Sequence, residues 1–202
     1  TQPIDGKVCN AADFTATGTS DFITLPNDLL SGRKNFSLSL WAKTGDMTRR
    51  SIISGANSGS ANELLMWFDS GTVFAPDIHN SEIAKITTSN IADNDWHHLV
   101  WTRSNSEICL YRDAVLQECA NDTSSTMNIA SLILGQEQDN VGGGFDASQA
   151  FDGLLDELVV FSAALDSSQI SQIYTNQNNG LGYDGSARTC PVAPTPTAVL
   201  DM

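Results

Sequence analysis

The chain has 202 residues, 41% of them hydrophobic, which suits one globular domain with a sizeable core. Its 24 acidic against 10 basic residues give a net charge of −14, a surface that repels nucleic-acid phosphates and anionic membranes and favours cations. It holds no apolar run of about 18 residues, so no segment reads as membrane-inserted.

Taken in order, residues 1–10 are polar and read as a lead-in. Phe14 and the alternating residues 21–25 predict a first strand, and Pro26-Asn27-Asp28 supplies turn chemistry. Residues 36–43 (FSLSLWAK) alternate with period two: Phe36, Leu38, Leu40 and Ala42 share one face, Ser37, Ser39, Trp41 and Lys43 the other. Residues 51–54 and 63–68 (ELLMWF) read as partner strands across a Gly/Ser turn. Shorter strands broken by Pro76 follow, then residues 95–101 (DWHHLVW). Residues 108–111 and 114–119 flank Arg112-Asp113 as a hairpin. Asp166 is set to cap a short helix, with Gln169 at the reciprocal capping-box position and Ile170, Ile173 and Tyr174 on one stripe. Residues 191–197 (PVAPTPT) read as a Pro/Thr-rich linker, and 198–202 as the start of a following segment. Many short strands, regular turns and one helix near the C-terminus predict an all-β sandwich over residues 1–190.

The four cysteines fit no zinc spacing. Their even number points to disulfides and an oxidising, extracytoplasmic compartment. Three pairings are possible. The favoured one joins Cys109 to Cys119 within a hairpin and Cys9 to Cys190 across the chain ends.

Chemistry concentrates in residues 132–165. A short apolar run opens into a loop rich in oxygen donors, among them Glu137, Gln138, Asp139, Asp146 and Gln149, around the triplet Gly142, Gly143 and Gly144. Glycines permit a fold-back that gathers these carboxylates, and gathered carboxylates repel until a hard cation joins them. Ca2+ takes six to eight oxygens of these kinds. A solvated acidic hairpin loop is the competing reading.

The segment GQEQDNVGGGFDASQ resembles the calcium loop of the pentraxins. The following FDGLLDELVVFSAAL, like WHHLVW, resembles strands of laminin-G-like domains. Both groups belong to the concanavalin A-like jelly-roll superfamily, so the resemblance implies a two-sheet antiparallel jelly roll. Residue by residue, it implies one or two Ca2+ held by Glu137, the Gln138 backbone carbonyl, Asp139, Asp146 and Gln149, with Asn62 added from the aligned SIISGANSGSANELLMWF segment. Departures are visible. Asp146 stands for the usual Glu, Ala61 for a ligand Asp, Ser39 and Val100 for a disulfide, and Arg103 for a signature Trp. In pentraxins that bind phosphocholine, calcium takes the phosphate while an aromatic and a Glu hold the choline. The alignment places Trp67 and Glu82 there.

The resemblance implies a non-catalytic, calcium-dependent binding or adhesion module of a larger extracytoplasmic protein. Its partner is a carbohydrate, a phosphate ester or another surface protein, beside neighbouring domains of its own chain. A structural spacer whose calcium only stiffens the loop is the alternative. A glycan hydrolase is the third reading, with Asp152, Asp156 and Glu157 as its nearest carboxylates, but the Glu-x-Asp-x-x-Glu strand pattern is missing. The layout also resembles bacterial pilus-associated surface proteins with laminin-G-like domains in tandem.

Overall fold

Period-two alternation builds the middle of the molecule. In the computed structural model, which describes residues 4–15 and 18–190, the segment rich in alternating apolar residues is a long strand at the centre of a sheet. The linker expected at residues 191–202 lies outside the described residues.

Numbered in chain order, the strands are β1 (Ile4–Asp5), β2 (Asn10–Asp13), β3 (Ile23–Leu25), β4 (Phe36–Asp46), β5 (Arg50–Asn57), β6 (Ser60–Ser70), β7 (Val73–Phe74), β8 (Asp77–Ile78), β9 (Ser81–Glu82), β10 (Ile86–Thr87), β11 (Trp96–Arg103), β12 (Glu107–Arg112), β13 (Val115–Asn121), β14 (Ser131–Leu134) and β15 (Asp152–Phe161). One sheet runs β1-β2-β15-β4-β11-β12-β13. The other runs β10-β7-β6-β5-β14-β3, with the β8–β9 hairpin attached to β6. The named strands pair antiparallel throughout, as a jelly-roll sandwich requires.

The core lies between the two inner faces. Phe36, Leu38 and Leu40 of β4 and Leu99 and Trp101 of β11 meet Ile52, Leu64, Met66, Phe68 and Leu132 of the opposite sheet. Each fully buried side chain of this size stabilises by about 1.5–3 kcal/mol. The other face of β4 is buried as well: helix α1 (Ser167–Asn178) lies over Trp41, and Ser37 Oγ donates to Ala163 O and accepts from Leu165 N of the connection before it, so Ser37, Ser39 and Trp41 are inaccessible. Asp166 caps that helix through the expected capping box with Gln169. Trp41 stacks on Tyr174 at 5.5 Å, and its indole Nε1 donates to Gln177 Oε1 at 2.8 Å.

Residues 1–10, read above as a lead-in, are corrected by the structure. From Ile4 onward they are built into the fold: β1 and β2 extend the first sheet, and Val8 N donates to Asp156 Oδ2 at 3.0 Å. Short strands at or beside a sheet edge, held by backbone bonds, need no hydrophobic alternation, so the polar sequence concealed them. Both disulfides form as expected. Cys109 and Cys119 are direct cross-strand neighbours, and Cys9 joins Cys190.

The two strand histidines diverge. His97 is gripped by Asp113 (2.9 Å) and Asp93 (3.0 Å), and the hydrogen bond to Asp113 leads in raising its pKa. His98 lies under α1 against both Trp41 and Tyr174, and burial lowers its pKa to about 4. An unfolded histidine titrates near pH 6.5, so between pH 6.5 and 4 the unfolded chain binds the extra proton and the folded chain refuses it. Stability is therefore lost as pH falls through that window, by about 3 kcal/mol in total. Chemical denaturation of wild type and His98→Gln across that range checks this. The wild type should carry a steeper acid slope than the variant, and equal slopes would refute it.

Candidate metal and ligand site

The donor-rich loop, residues 135–151, carries the chain from β14 in one sheet to β15 in the other. It lies on β5. Gly135 N donates to Ile52 O, Ser51 N to Gln149 O and Gln138 N to Ser54 Oγ (2.8, 2.9 and 3.2 Å). The Arg50 guanidinium donates to the carbonyls of Ala147, Ser148 and Ala150. The fold-back expected of the glycines is present. Gly142 and Gly144 have φ of 72° and 74°, and a Cβ on Gly144 would stand 2.7 Å from that of Asp139. Only glycine suits such a crossing without strain.

The loop uses its two buried amides as scaffolding. The Gln138 side chain donates to Ser54 O and accepts from Gly142 N, at 2.9 and 2.8 Å, so a metal would meet its backbone carbonyl rather than its amide. Gln136 Nε2 donates to Gly18 O at 2.9 Å. Glu137, between them, is 4% exposed, and its Oε2 is buried with no hydrogen-bond partner. An unpaired buried carboxylate is costly. Burial first, then the charges of Asp139, Asp146 and Asp77, push the Glu137 carboxyl up to about 7.

Two more orphaned oxygens are Asn62 Oδ1 on β6 and Asp77 Oδ1 on β8. Asp139 and Asp146 are exposed on the loop rim. Asp146 Oδ1 accepts from Ser148 N at 2.8 Å, which holds its carboxyl below the usual range. Gln149 gives its backbone to Asp146 O and Ser51 N. Buried oxygen acceptors without donors, rimmed by carboxylates and with no sulfur or imidazole among them, fit a hard cation such as Ca2+. Glu137, the Gln138 carbonyl, Asp139, Asp146, Gln149 and Asn62 are the residues that would hold it.

Trp67 on β6 is half-buried at the edge of this site, its indole Nε1 unpaired. Glu82 is exposed on β9 and pairs across the hairpin with Asp77. Sequence reasoning missed two neighbours. One is Asp77, which reaches the site because β8 pairs with β6 at Leu65. The other is Arg49, whose guanidinium lies 5.8 Å from the Trp67 ring centre and whose charge reaches Asp146. The signal for Asp77 was weak: a two-residue strand around a His79-Asn80 turn has no periodicity to read.

Other candidate groups are committed elsewhere. Ser39 Oγ and His98 Nε2 meet at 2.8 Å, yet both side chains are buried beneath α1 and His98 Nδ1 has no orienting partner. Asp156 accepts from Val8 N and Glu157 N, while Glu157 pairs with Arg188 and Gln177. These bonds fasten the N- and C-terminal segments to β15.

A laminin-G family model of the concanavalin A-like lectin/glucanases superfamily matches residues 17–171. Among curated proteins, human pentraxin-4 is 25% identical over 182 residues, covering 84% of this chain and 38% of its own length. C-reactive protein 1.4 of Limulus polyphemus is 27% identical over 180 residues, covering 84% and 74%. The chain thus spans about two fifths of pentraxin-4 and, at 32%, about a third of the human neuronal pentraxin receptor. Among solved structures, the native heptameric SAP-like pentraxin of Limulus polyphemus superposes with a TM-score of 0.65 at 20% identity, over 78% of this chain and 80% of that one. Domain 4 of an extracellular arabinanase from Geobacillus stearothermophilus, in complex with arabinotriose, gives 0.62 at 22% identity, over 84% and 78%. A sandwich of this topology, matched by that family model across three quarters of its length, belongs to the laminin-G-like family of the concanavalin A-like superfamily, with pentraxins among its relatives.

Proposed function

We propose that this chain is a non-catalytic binding module that recognises its ligand through calcium, outside the cytoplasm. The observation that carries this reading is Glu137: a buried carboxylate oxygen without a donor, facing further acidic groups, on a loop tied to β5 by several hydrogen bonds. Two disulfides suit an oxidising compartment, and the pentraxin relatives support a binding role. The spacer reading, in which calcium only stiffens the loop, is less well supported. Arg50, Ser51, Ser54 and Gln138 already hold the loop without an ion. The ion would instead present open coordination to an anionic or hydroxyl group of a carbohydrate or phosphate ester, with Trp67 and Glu82 beside it.

A ligand panel in calcium and in EDTA tests this, followed by tryptophan fluorescence. Sugars, arabinotriose and phosphate esters make up the panel. At least one ligand should bind in calcium and be lost in EDTA, and Trp67→Ala should weaken it about tenfold, the scale of one aromatic contact. Calcium that raises the melting temperature while no ligand binds would leave the spacer reading standing. No calcium binding at all would remove both.

A further inference from the structure

The Ser39–His98 pair has a hydrogen bond but lacks an orienting partner and an accessible hydroxyl. Another serine–histidine pair has both. His79, at the turn of the β8–β9 hairpin, lies between Glu63 of β6 and Ser125 of the connection from β13 to β14. Its Nδ1 stands 2.9 Å from Glu63 Oε2, and its Nε2 stands 3.1 Å from Ser125 Oγ. Glu63 is 3% exposed, and its other oxygen, Oε1, accepts from Asn128 N at 2.7 Å. The Ser125 hydroxyl is on an exposed residue and has no other protein partner among the described residues.

Each member is fixed by its own bonds. His79 has a left-handed φ of 51°, which is costly for a non-glycine residue and persists only where the surroundings over-determine it. Here His79 N donates to Glu63 O at 3.2 Å, and Asn80 N donates to Asn62 O at 2.8 Å. Ser125 O accepts from the fully buried Arg103 guanidinium at 3.0 Å, which anchors the backbone under the hydroxyl. An ionised carboxylate can only accept, so in neutral His79 the proton facing Glu63 sits on Nδ1 and the Nε2 lone pair faces the serine. A general base needs that arrangement to take a hydroxyl proton. The amides of Ser125 and Thr126 donate to no protein acceptor among the described residues, which leaves two N–H groups beside the hydroxyl for a developing oxyanion.

We propose that Ser125 is an activated nucleophile that accepts an acyl group from a carboxylic ester, with His79 as its base and Glu63 as the residue that positions His79. Ser125 Oγ attacks the ester carbonyl carbon while its proton passes to His79 Nε2. The bond from that carbon to the alcohol oxygen then breaks, and the departing alkoxide takes the proton from Nε2. The products are an acyl ester on Ser125 and a free alcohol, and Glu63 neither gains nor loses a proton. One such transfer marks the chain covalently and requires no turnover and no ion. The inference therefore stands apart from the calcium-linked binding reading.

The test uses the whole chain in EDTA, with a fluorophosphonate as trapping probe and peptide mass mapping of the modified serine. In the trap the Ser125 oxygen bonds to phosphorus as fluoride leaves, and the proton stays on His79. Ser125 should be labelled at least about a hundredfold faster than any other serine, the lower end of what a positioned base contributes. His79→Gln should remove that advantage. Glu63→Gln should slow labelling at least about tenfold, because the amide can donate to Nδ1 and move the ring proton to Nε2. Nitrogen NMR of the wild type gives a readout that does not depend on a variant folding: neutral His79 should carry its proton on Nδ1. Para-nitrophenyl acetate should leave an acetyl group on Ser125 in the wild type, with release of nitrophenolate, and Ser125→Ala should lose both signals. Labelling of Ser125 no faster than of other exposed serines overturns the proposal. So does wild-type labelling in His79→Gln, or an Nε2-protonated His79 in the parent. Calcium-dependent ligand binding is untouched by any of these outcomes, so the two readings fail separately.

Discussion

Glu137→Gln should abolish calcium binding and, in the same molecule, raise the stability of the metal-free protein. Both effects come from one atom's surroundings. Glu137 is buried between Gln136 and Gln138, whose side chains are tied to Gly18, Ser54 and Gly142, so it cannot swing out to water. Its folded pKa of about 7 exceeds the ordinary value of 4.5. Between those values the folded chain keeps a proton that the unfolded chain has lost, so stability falls as pH rises through the window and the full cost applies above pH 7. That cost is on the order of 2–3 kcal/mol. A neutral Gln escapes it. In the proposed site calcium would replace the proton and need the carboxylate, so the variant should lose at least about a hundredfold in affinity, the effect of removing a central charged ligand. At pH 8, calorimetry and thermal melts with and without calcium give both readouts. The wild type should melt higher in calcium, and the variant should melt higher than the apo wild type but gain nothing from the ion. In the wild type, calcium affinity should fall below pH 7 by up to about tenfold per pH unit, with proton release visible as a buffer-dependent heat. A variant that binds calcium as the parent does would remove Glu137 from the site.

How much of this was legible in the sequence depends on whether the signal was local. The inward set Phe36, Leu38, Leu40 and Ala42 follows from alternation alone, and all four are in the core. Asp166 and Gln169 are three residues apart, so their capping box was readable from spacing. The glycines predicted the fold-back of the loop, and the left-handed Gly142 and Gly144 deliver it. Information failed where partners lie far apart in the chain. Nothing local says that Asp77 approaches Glu137 or that Arg49 crosses Trp67; both depend on pairing of β5, β6 and β8. The burial of Ser37 and Trp41 depends on α1 and the connection leading into it, more than 120 residues downstream. The loop residues were identified as a set by resemblance, whereas the commitment of the Gln138 side chain to Ser54 and Gly142 emerged only from the structure.

Arg103 shows the same limit at the level of stability, and it gives the other large expected effect. In the sequence it stands only as a departure from a signature tryptophan. By parity it continues the inward row of Leu99 and Trp101, and the structure buries it completely. A buried guanidinium is tolerated only when its charge and its donors are matched. Here Nε meets Asp122 of the segment after β13, Nη1 donates to Lys34 O at 3.2 Å, and Nη2 donates to Ser124 Oγ and Ser125 O at 2.8 and 3.0 Å. The guanidinium also sits 5.8 Å from the Phe36 ring. Arg103 thus does with polar bonds what a large apolar side chain would do by packing, and it fastens the β13–β14 connection to the sandwich. Asp122→Asn removes the only carboxylate paired with it among the described residues and leaves the charge uncompensated. The expected loss is about 3–5 kcal/mol, or roughly 10 °C in melting temperature for a chain of this size. Ser124→Ala, which removes a neutral donor–acceptor partner, should cost only about 1–2 kcal/mol. The double variant Arg103→Met, Asp122→Leu should recover most of the loss, because neither charge then needs a partner. Denaturant unfolding of the four proteins decides the matter. A loss below about 1 kcal/mol for Asp122→Asn, or a double variant worse than the single, would mean that the pair does not neutralise itself as its geometry indicates.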